Sequence, residues 1–497
     1  MWAQTGTEVL AYRSNFTYNI AQSLGGVMIV MFSTSVKLQG NHYQHNAAVK
    51  NGYGGVLYAQ EQTTIVSNHS KFWNNTAHQG GVMWVQSGSE ITISNSEFDS
   101  NVAQKKGGVL CLLLSRATVT NSLFHHNRAK KYGGVLYTNK LTMTIYLSRF
   151  WNNTSYRAGV VYSISGNDVR IIGCEFYNNT VQLIGGVMII RSSHLSIDRS
   201  LFLNSAAQSF SGVLYTANQS TITINDTKYS NNTGGTGGGV ITVESGAKVR
   251  ISNSHFNSNF AGNAAVLLIQ LEAYVTIYKS NFSNNSVNMF GGVIAMTQSN
   301  LTIIRSQLYN NIAPSGGGVL NSQQSSSVVI RESIFSYNVA NTGGVLMLSY
   351  INHATIIGSI FTYNKAPQGG TLTGVRIQLM LHNAGLSDNQ ANSGGALYFF
   401  QGDVTFSGVC ILIRNIAENG GAIHATETKL NVFEQTRVLH NVATHTGGGV
   451  FLYHSELNCH YQSILEVIRP ATTIYGVTYF ERISDKLDIN AISSGPV

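Results

Sequence analysis

A pair of small residues, usually two glycines, followed in most copies by Val and then by a large apolar residue, returns along this chain every 25 to 29 residues, in 17 copies from Gly26 to Gly449. Few folds tolerate such a beat. Residues 98–112, FDSNVAQKKGGVLCL, and residues 124–137, FHHNRAKKYGGVLY, show the whole unit. An aromatic column runs through Phe72, Phe98, Phe124, Phe150, Phe176 and Phe202, and passes to Leu or Val in some later copies. Three residues after it stands Asn in 16 of the 17 copies, with Ser205 the exception, and two residues before it usually stands Ser.

Within a copy the apolar residues alternate. In SEITISNSEF, Ile91 and Ile93 share a face, and Phe98 continues it beyond a bend near Asn95. The helical spacing i, i+3, i+4, i+7 does not occur, which excludes helical repeats. A unit of about 26 residues made of short strands cannot bury its apolar edge alone, but stacking on identical units makes a continuous core. The expected fold is therefore all-β, a parallel β-helix solenoid of about 17 coils. Phe should stack inside. Asn should take a sharp corner in the left-handed conformation and link its amide from rung to rung. Glycine should supply the next corner, where positive φ is needed. Composition agrees: only 10% of residues are charged, against 43% apolar, with 50 Gly and 4 Pro.

Repeated FxNNxA…GGV(L/M/I) resembles the FxxN and GGA(I/L/V) repeats of polymorphic outer membrane proteins, surface adhesins of chlamydial type. The resemblance covers about residues 8–460, with Val where that family has Ala, except at Ala396 and Ala422. It implies a pectin-lyase-like right-handed β-helix with an adhesive role at the cell surface or outside the cell, and no enzyme mechanism. The chain carries no C-terminal β-barrel of the bacterial kind, which argues against a bacterial autotransporter.

Residues 1–460 should form one solenoid and residues 461–497, without a glycine pair, a degenerate final coil, a cap or an irregular tail. The start lacks the basic-then-apolar layout of a secretory leader and opens half a coil before Phe16. Truncation at the N-terminus, or a longer parent chain, is expected. Exposed solenoid edges also favour end-to-end association. No apolar run approaches the roughly 18–20 residues of a membrane helix.

Of four cysteines, Cys174 and Cys410 replace the Ser column nine coils apart, beyond the roughly 7 Å between Cα atoms that a disulfide allows. They are expected to be small buried thiols. Polysaccharide lyases and hydrolases need carboxylates clustered on neighbouring rungs. The 22 acidic residues scatter instead, and Asp168, Asp198 and Asp226 sit at different offsets from the aromatic column. The 15 histidines do not recur at ligand spacing with Cys or carboxylate. A non-enzymatic chain with no cofactor, metal or nucleic-acid partner is expected.

Three surface features remain. The segments before successive glycine pairs carry Lys105 and Lys106, then Arg128, Lys130 and Lys131, then Arg157, placing like charges about one rung apart. Three residues after the pair stand Tyr58, Trp84, Tyr137, Tyr162 and Tyr215. This column also admits Thr242, Asn321 and His424, so it is expected to face outward and to stack on sugars or a partner. Together Trp84, Tyr137, Tyr162 and the six cations make a candidate site for an acidic polysaccharide or a surface protein. Among 12 Asn-x-Ser/Thr sequons, those at Asn74, Asn152, Asn178, Asn231 and Asn284 precede the ladder Asn at a turn and are candidate glycan acceptors. A polysaccharide-modifying β-helix and a structural spacer are the alternative readings.

Overall fold

A computed structural model describes residues 1–324 and 326–459, and the backbone of 464–465. The chain winds as an all-β parallel solenoid of about 18 turns with corresponding positions ~26 residues apart. The count exceeds the 17 copies of the repeat because Trp2–Gln4, which precedes the first of them, already pairs in parallel with Ile29–Met31. Of the terminal segment 461–497, Ile464–Leu465 pairs in parallel with Arg437–Val438; otherwise that segment lies outside the described residues. By internal packing the chain divides into two units, Met1–Val249 and Arg250–Val497.

One coil of the first unit shows how the sequence bends. From Gly107 the strands are Leu110–Leu113, Arg116–Thr120, Leu123–His125 and Arg128–Tyr132. Each lies in register beside its counterpart one coil on, as in Leu110↔Leu136, Ala117↔Met143, Phe124↔Phe150 and Ala129↔Ser155. Each strand ends at a residue with positive φ: Leu114 at 51°, Asn121 at 47°, His126 at 54° and Gly133 at 64°. The left-handed corner thus falls on the residue before the ladder Asn and not on the ladder Asn, as expected from sequence. The reason is geometric: Asn127 must point inward with its side chain wholly buried, so the reversal is made one residue earlier.

The glycine pair divides its labour. Gly107 and Gly133 have positive φ, whereas Gly108 does not. A Cβ on Gly108 would collide with the Gly134 carbonyl oxygen of the next coil. The second glycine is therefore required by close backbone approach.

Inside the first unit, Tyr43, Phe72, Phe98, Phe124, Phe150, Phe176, Phe202 and Tyr229 form one file without solvent exposure. Phe98 and Phe124 are 4.7 Å apart between ring centroids with planes 1° from parallel. Beside the rings runs the amide ladder. Asn127 Nδ2 donates to Asn153 Oδ1 at 3.1 Å and to the Phe98 carbonyl at 2.9 Å. Its Oδ1 accepts from the backbone N–H and the Nδ2 of Asn101, both at 3.0 Å. All four hydrogen-bonding positions of the amide are satisfied, as burial demands. The Ser column forms a second ladder: the Ser96 N–H donates to Ser122 Oγ at 3.2 Å, and that hydroxyl donates to the Thr120 carbonyl at 2.8 Å.

The second unit repeats this core. Phe256 and Phe282 stack at 4.7 Å, and Phe335 and Phe361 at 4.8 Å. Asn338 Nδ2 donates to Asn364 Oδ1 at 3.0 Å and to the Leu308 carbonyl at 2.9 Å. The first four of its strands before the glycine pair are only two residues long: Phe260–Ala261, Ser286–Val287, Ile312–Ala313 and Val339–Ala340.

Candidate functional site

In the first unit most of the fourth strands, those before the glycine pair, are longer and carry bulk. Ala47–Tyr53, Thr76–Gln79, Val102–Lys106, Arg128–Tyr132, Thr154–Arg157 and Thr180–Ile184 lie side by side. Their last residues form one row in which Tyr53, Gln79, Lys106, Tyr132, Arg157 and Ile184 are successive partners. That row lies over the column three residues after the glycine pair. Tyr58, Trp84 and Tyr162 retain 8%, 8% and 7% of their exposure and Tyr137 only 4%; with Cys111 and Ile189 they form a buried lateral cluster.

The outward-facing aromatic file expected from sequence is thereby corrected. Trp84, Tyr137 and Tyr162 are a second, lateral core, because the large side chains of Tyr53, Tyr132 and Ile184 cover them. Their polar tips are met at its rim: Trp84 Nε1 donates to Gln86 Oε1 at 3.1 Å, and the Tyr58 hydroxyl to Gln60 Oε1 at 2.6 Å. Burial pushes the Tyr137 phenol up to about 12, with Cys111 and Tyr132 adding to the shift. The covering residues were visible in the sequence: a bulky apolar residue one place before the glycine pair, at Tyr53, Tyr132, Ile184 and Phe210, needs something to cover.

The six cations divide accordingly. Lys106 Nζ lies 4.2 Å from the Tyr137 ring centroid and donates to its hydroxyl at 3.0 Å. Arg157 follows Tyr132 in the covering row, so within that row Lys106 and Arg157 are separated by one uncharged residue. Arg128, Lys130 and Lys131 are exposed, and Lys105 is half-buried. Because Ala103 pairs with Ala129 and Lys106 with Tyr132, Lys105 stands beside Lys131. His78, one coil earlier, feels both: burial first, then the charges of Lys105 and Lys131, hold its imidazole below the ordinary range. Among the described residues none of the six cations has a carboxylate within ion-pair distance. Arg128 and Lys130 line one side of a groove of about 420 Å³ that Thr154, Tyr156, Thr180 and Gln182 continue.

A larger groove, about 1030 Å³, follows the opposite turns and contains Glu90, Asp168 and His194. Glu90 and Asp168 occupy one row but are three coils apart. That is about 14 Å by the rung spacing, wider than the roughly 5–9.5 Å of a glycosidase carboxylate pair.

The sequon asparagines share the corner before the ladder. Asn74, Asn178, Asn231 and Asn284 are exposed with φ between 50° and 55°. Asn152 is half-buried, its Nδ2 3.1 Å from His126 Nε2. Cys111, Cys174 and Cys410 are buried free thiols, and burial raises the Cys174 thiol to about 11. Among the described residues no helix is long and apolar enough to cross a membrane.

Residues 68–206 match the family model described as a right handed beta helix region, and no curated protein matches the chain. The matched span covers the file of stacked phenylalanines and most of the covered lateral cluster. These findings make the fold a right-handed parallel β-helix.

Proposed function

We propose that this chain is a non-catalytic β-helix of the cell surface or extracellular space that presents a basic lateral strip to an acidic polysaccharide or an acidic surface protein. The resemblance of its repeats to those of polymorphic outer membrane adhesins supports the setting. One observation carries the ligand class: Lys105 beside Lys131, with Arg128 and Lys130 at the adjoining groove, all without carboxylate partners. Like charges held about 4.8 Å apart on neighbouring rungs repel until a counter-charge arrives. A linear polyanion running along the coils meets them in register. Trp84, Tyr137 and Tyr162 serve this strip as a rigid backing and not as stacking platforms, since they are buried.

The test is retention on a sulphated-polysaccharide column. Changing Lys105, Lys130 and Lys131 to Ser should remove most low-salt binding while leaving the melting temperature in place, because exposed charges add little stability. Wild type and triple variant eluting at the same salt would refute the reading.

A further inference from the structure

On the outer face of the third strands, Glu97–Asp99 and Leu123–His125, three ligand atoms converge that the sequence did not bring together. His125 lies beside Asp99 in the parallel register, one coil on. His126 occupies the left-handed corner that follows it, with φ 54°. The corner turns the His126 ring back towards its neighbour. His125 Nδ1 is 3.0 Å from Asp99 Oδ1, His126 Nδ1 is 3.3 Å from the same oxygen, and the two Nδ1 atoms are 3.1 Å apart.

This near-equilateral triangle has the size of one face of a coordination polyhedron. Donors about 2.0–2.1 Å from a four-coordinate ion stand about 3.3 Å from one another. The same bonds in an octahedron give about 2.9 Å. Around the triangle the supports are also present. His125 Nε2 faces Glu97 Oε1 at 3.2 Å, and Lys71 Nζ holds the other Glu97 oxygen at 3.3 Å. An Nε2–H donated to Glu97 leaves His125 Nδ1 as a bare lone pair, 3.0 Å from an anionic oxygen. That contact is repulsive until a proton or a cation lies between them. The His125 ring is stacked on Trp151 at 4.3 Å with planes 13° apart, which fixes its direction. The Ser100 hydroxyl donates to Asp99 Oδ1 at 2.9 Å, compatible with one further bond at that oxygen. Exposure of the His126 side chain, 53%, leaves room for water to complete the shell.

We propose that Asp99, His125 and His126 form a site for a late first-row divalent cation of the zinc class, with Glu97 positioning the His125 ring. Two imidazoles and one carboxylate suit such ions and disfavour calcium and magnesium, which take oxygen ligands. On binding, the His126 proton passes through solvent from Nδ1 to Nε2 with no net release, and the Asn152 amide turns its oxygen towards the new Nε2–H. Without the ion, a single proton on His126 Nδ1 shared between Asp99 and His125 is the competing occupant.

Titration of the untagged chain with Co²⁺, followed by its visible absorption, and with Zn²⁺ by calorimetry decides between them. The expected result is one saturable ion per chain that a 100-fold excess of Mg²⁺ or Ca²⁺ does not displace. Asp99→Asn and His126→Ala should each weaken it by at least 10-fold with the melting temperature kept. Glu97→Gln should weaken it about 10-fold through the His125 ring alone. Uptake that does not saturate, or that is the same in wild type, Asp99→Asn and His126→Ala, overturns the proposal.

Discussion

The two units share one core and differ in their flank. In Met1–Val249 the strands before the glycine pair are mostly four to seven residues long and end in Tyr53, Lys106, Tyr132, Arg157 or Ile184, which cover an aromatic column. In Arg250–Val497 the first four are two residues long, and the column three residues after the glycine pair is mixed, running Leu268, Ala295, Asn321, Met347, Thr373, Tyr398 and His424. The inner file and ladder, by contrast, continue through both. Rung-to-rung bonding therefore dictates the inner columns, while the lateral column is set by whatever the neighbouring strand lays over it. Flank and core are separable.

The sharpest way to break that contrast is to remove the covered ring. Tyr137→Ala should destabilise the first unit by about 3–5 kcal/mol, the usual cost of truncating a buried aromatic. Asn321→Ala, at the same column of the second unit, should cost under about 1 kcal/mol, because a short polar side chain leaves little cavity. Urea melts read by hydrogen exchange in each unit would measure both, and equal losses would dissolve the distinction. Next comes the shared ladder. Asn127→Ala and Asn338→Ala should each cost roughly 1–3 kcal/mol, since each strands buried partners. Asn121→Ala, at an exposed corner, should cost less.

A pH scan separates the flanks further. Burial holds His424 down to about 4, against an ordinary value of about 6.5. Between those values the unfolded chain binds a proton that the folded one refuses, so stability falls as pH drops from about 6.5 towards 4 and is unaffected above that window. His424→Phe, between Tyr398 and Phe451, should raise the melting temperature, and more at pH 5 than at pH 7.5. The smallest effect expected is a gain. At Ser205 the ladder lacks an amide, and Asn179 keeps its bond to the Phe150 carbonyl without an Asn oxygen ahead of it. Ser205→Asn should add about 0.5–1.5 kcal/mol, the net worth of a restored hydrogen bond. A loss would show that the coil has no room for it.

What repeats was legible in the sequence, and what does not repeat was not. The Phe file, the Asn ladder and the glycine corner all followed from columns, because a periodic structure imposes the same physics at each return; the Ser column was visible, but its ladder was not foreseen. The facing of Trp84, Tyr137 and Tyr162 did not, since it depends on Tyr53, Tyr132 and Ile184, bulky side chains that alternate with polar ones along their own row. The left-handed corner was misplaced by one residue because Asn suits both roles: Asn152 makes the corner and Asn153 the ladder. The meeting of Asp99 with His125 and His126 was hidden for another reason. It needs a carboxylate and an imidazole at one offset in adjacent coils, a coincidence of two copies and not a property of the repeat.

The amide ladder also has a direction. A ladder Asn such as Asn127 gives its backbone N–H and one Nδ2–H forward to the Asn oxygen of the next coil, gives the other Nδ2–H back to the Phe98 carbonyl, and receives on its oxygen from the Asn of the coil before. A finished coil therefore offers donors that only a successor carrying the same Asn at the same place can accept. This makes the repeat a hereditary unit as well as a structural one: a whole copy duplicated or lost restores the same junction, whereas a fragment of a copy does not. Selection acting on such a gene can change its length in steps of one coil and leave the interior chemistry untouched.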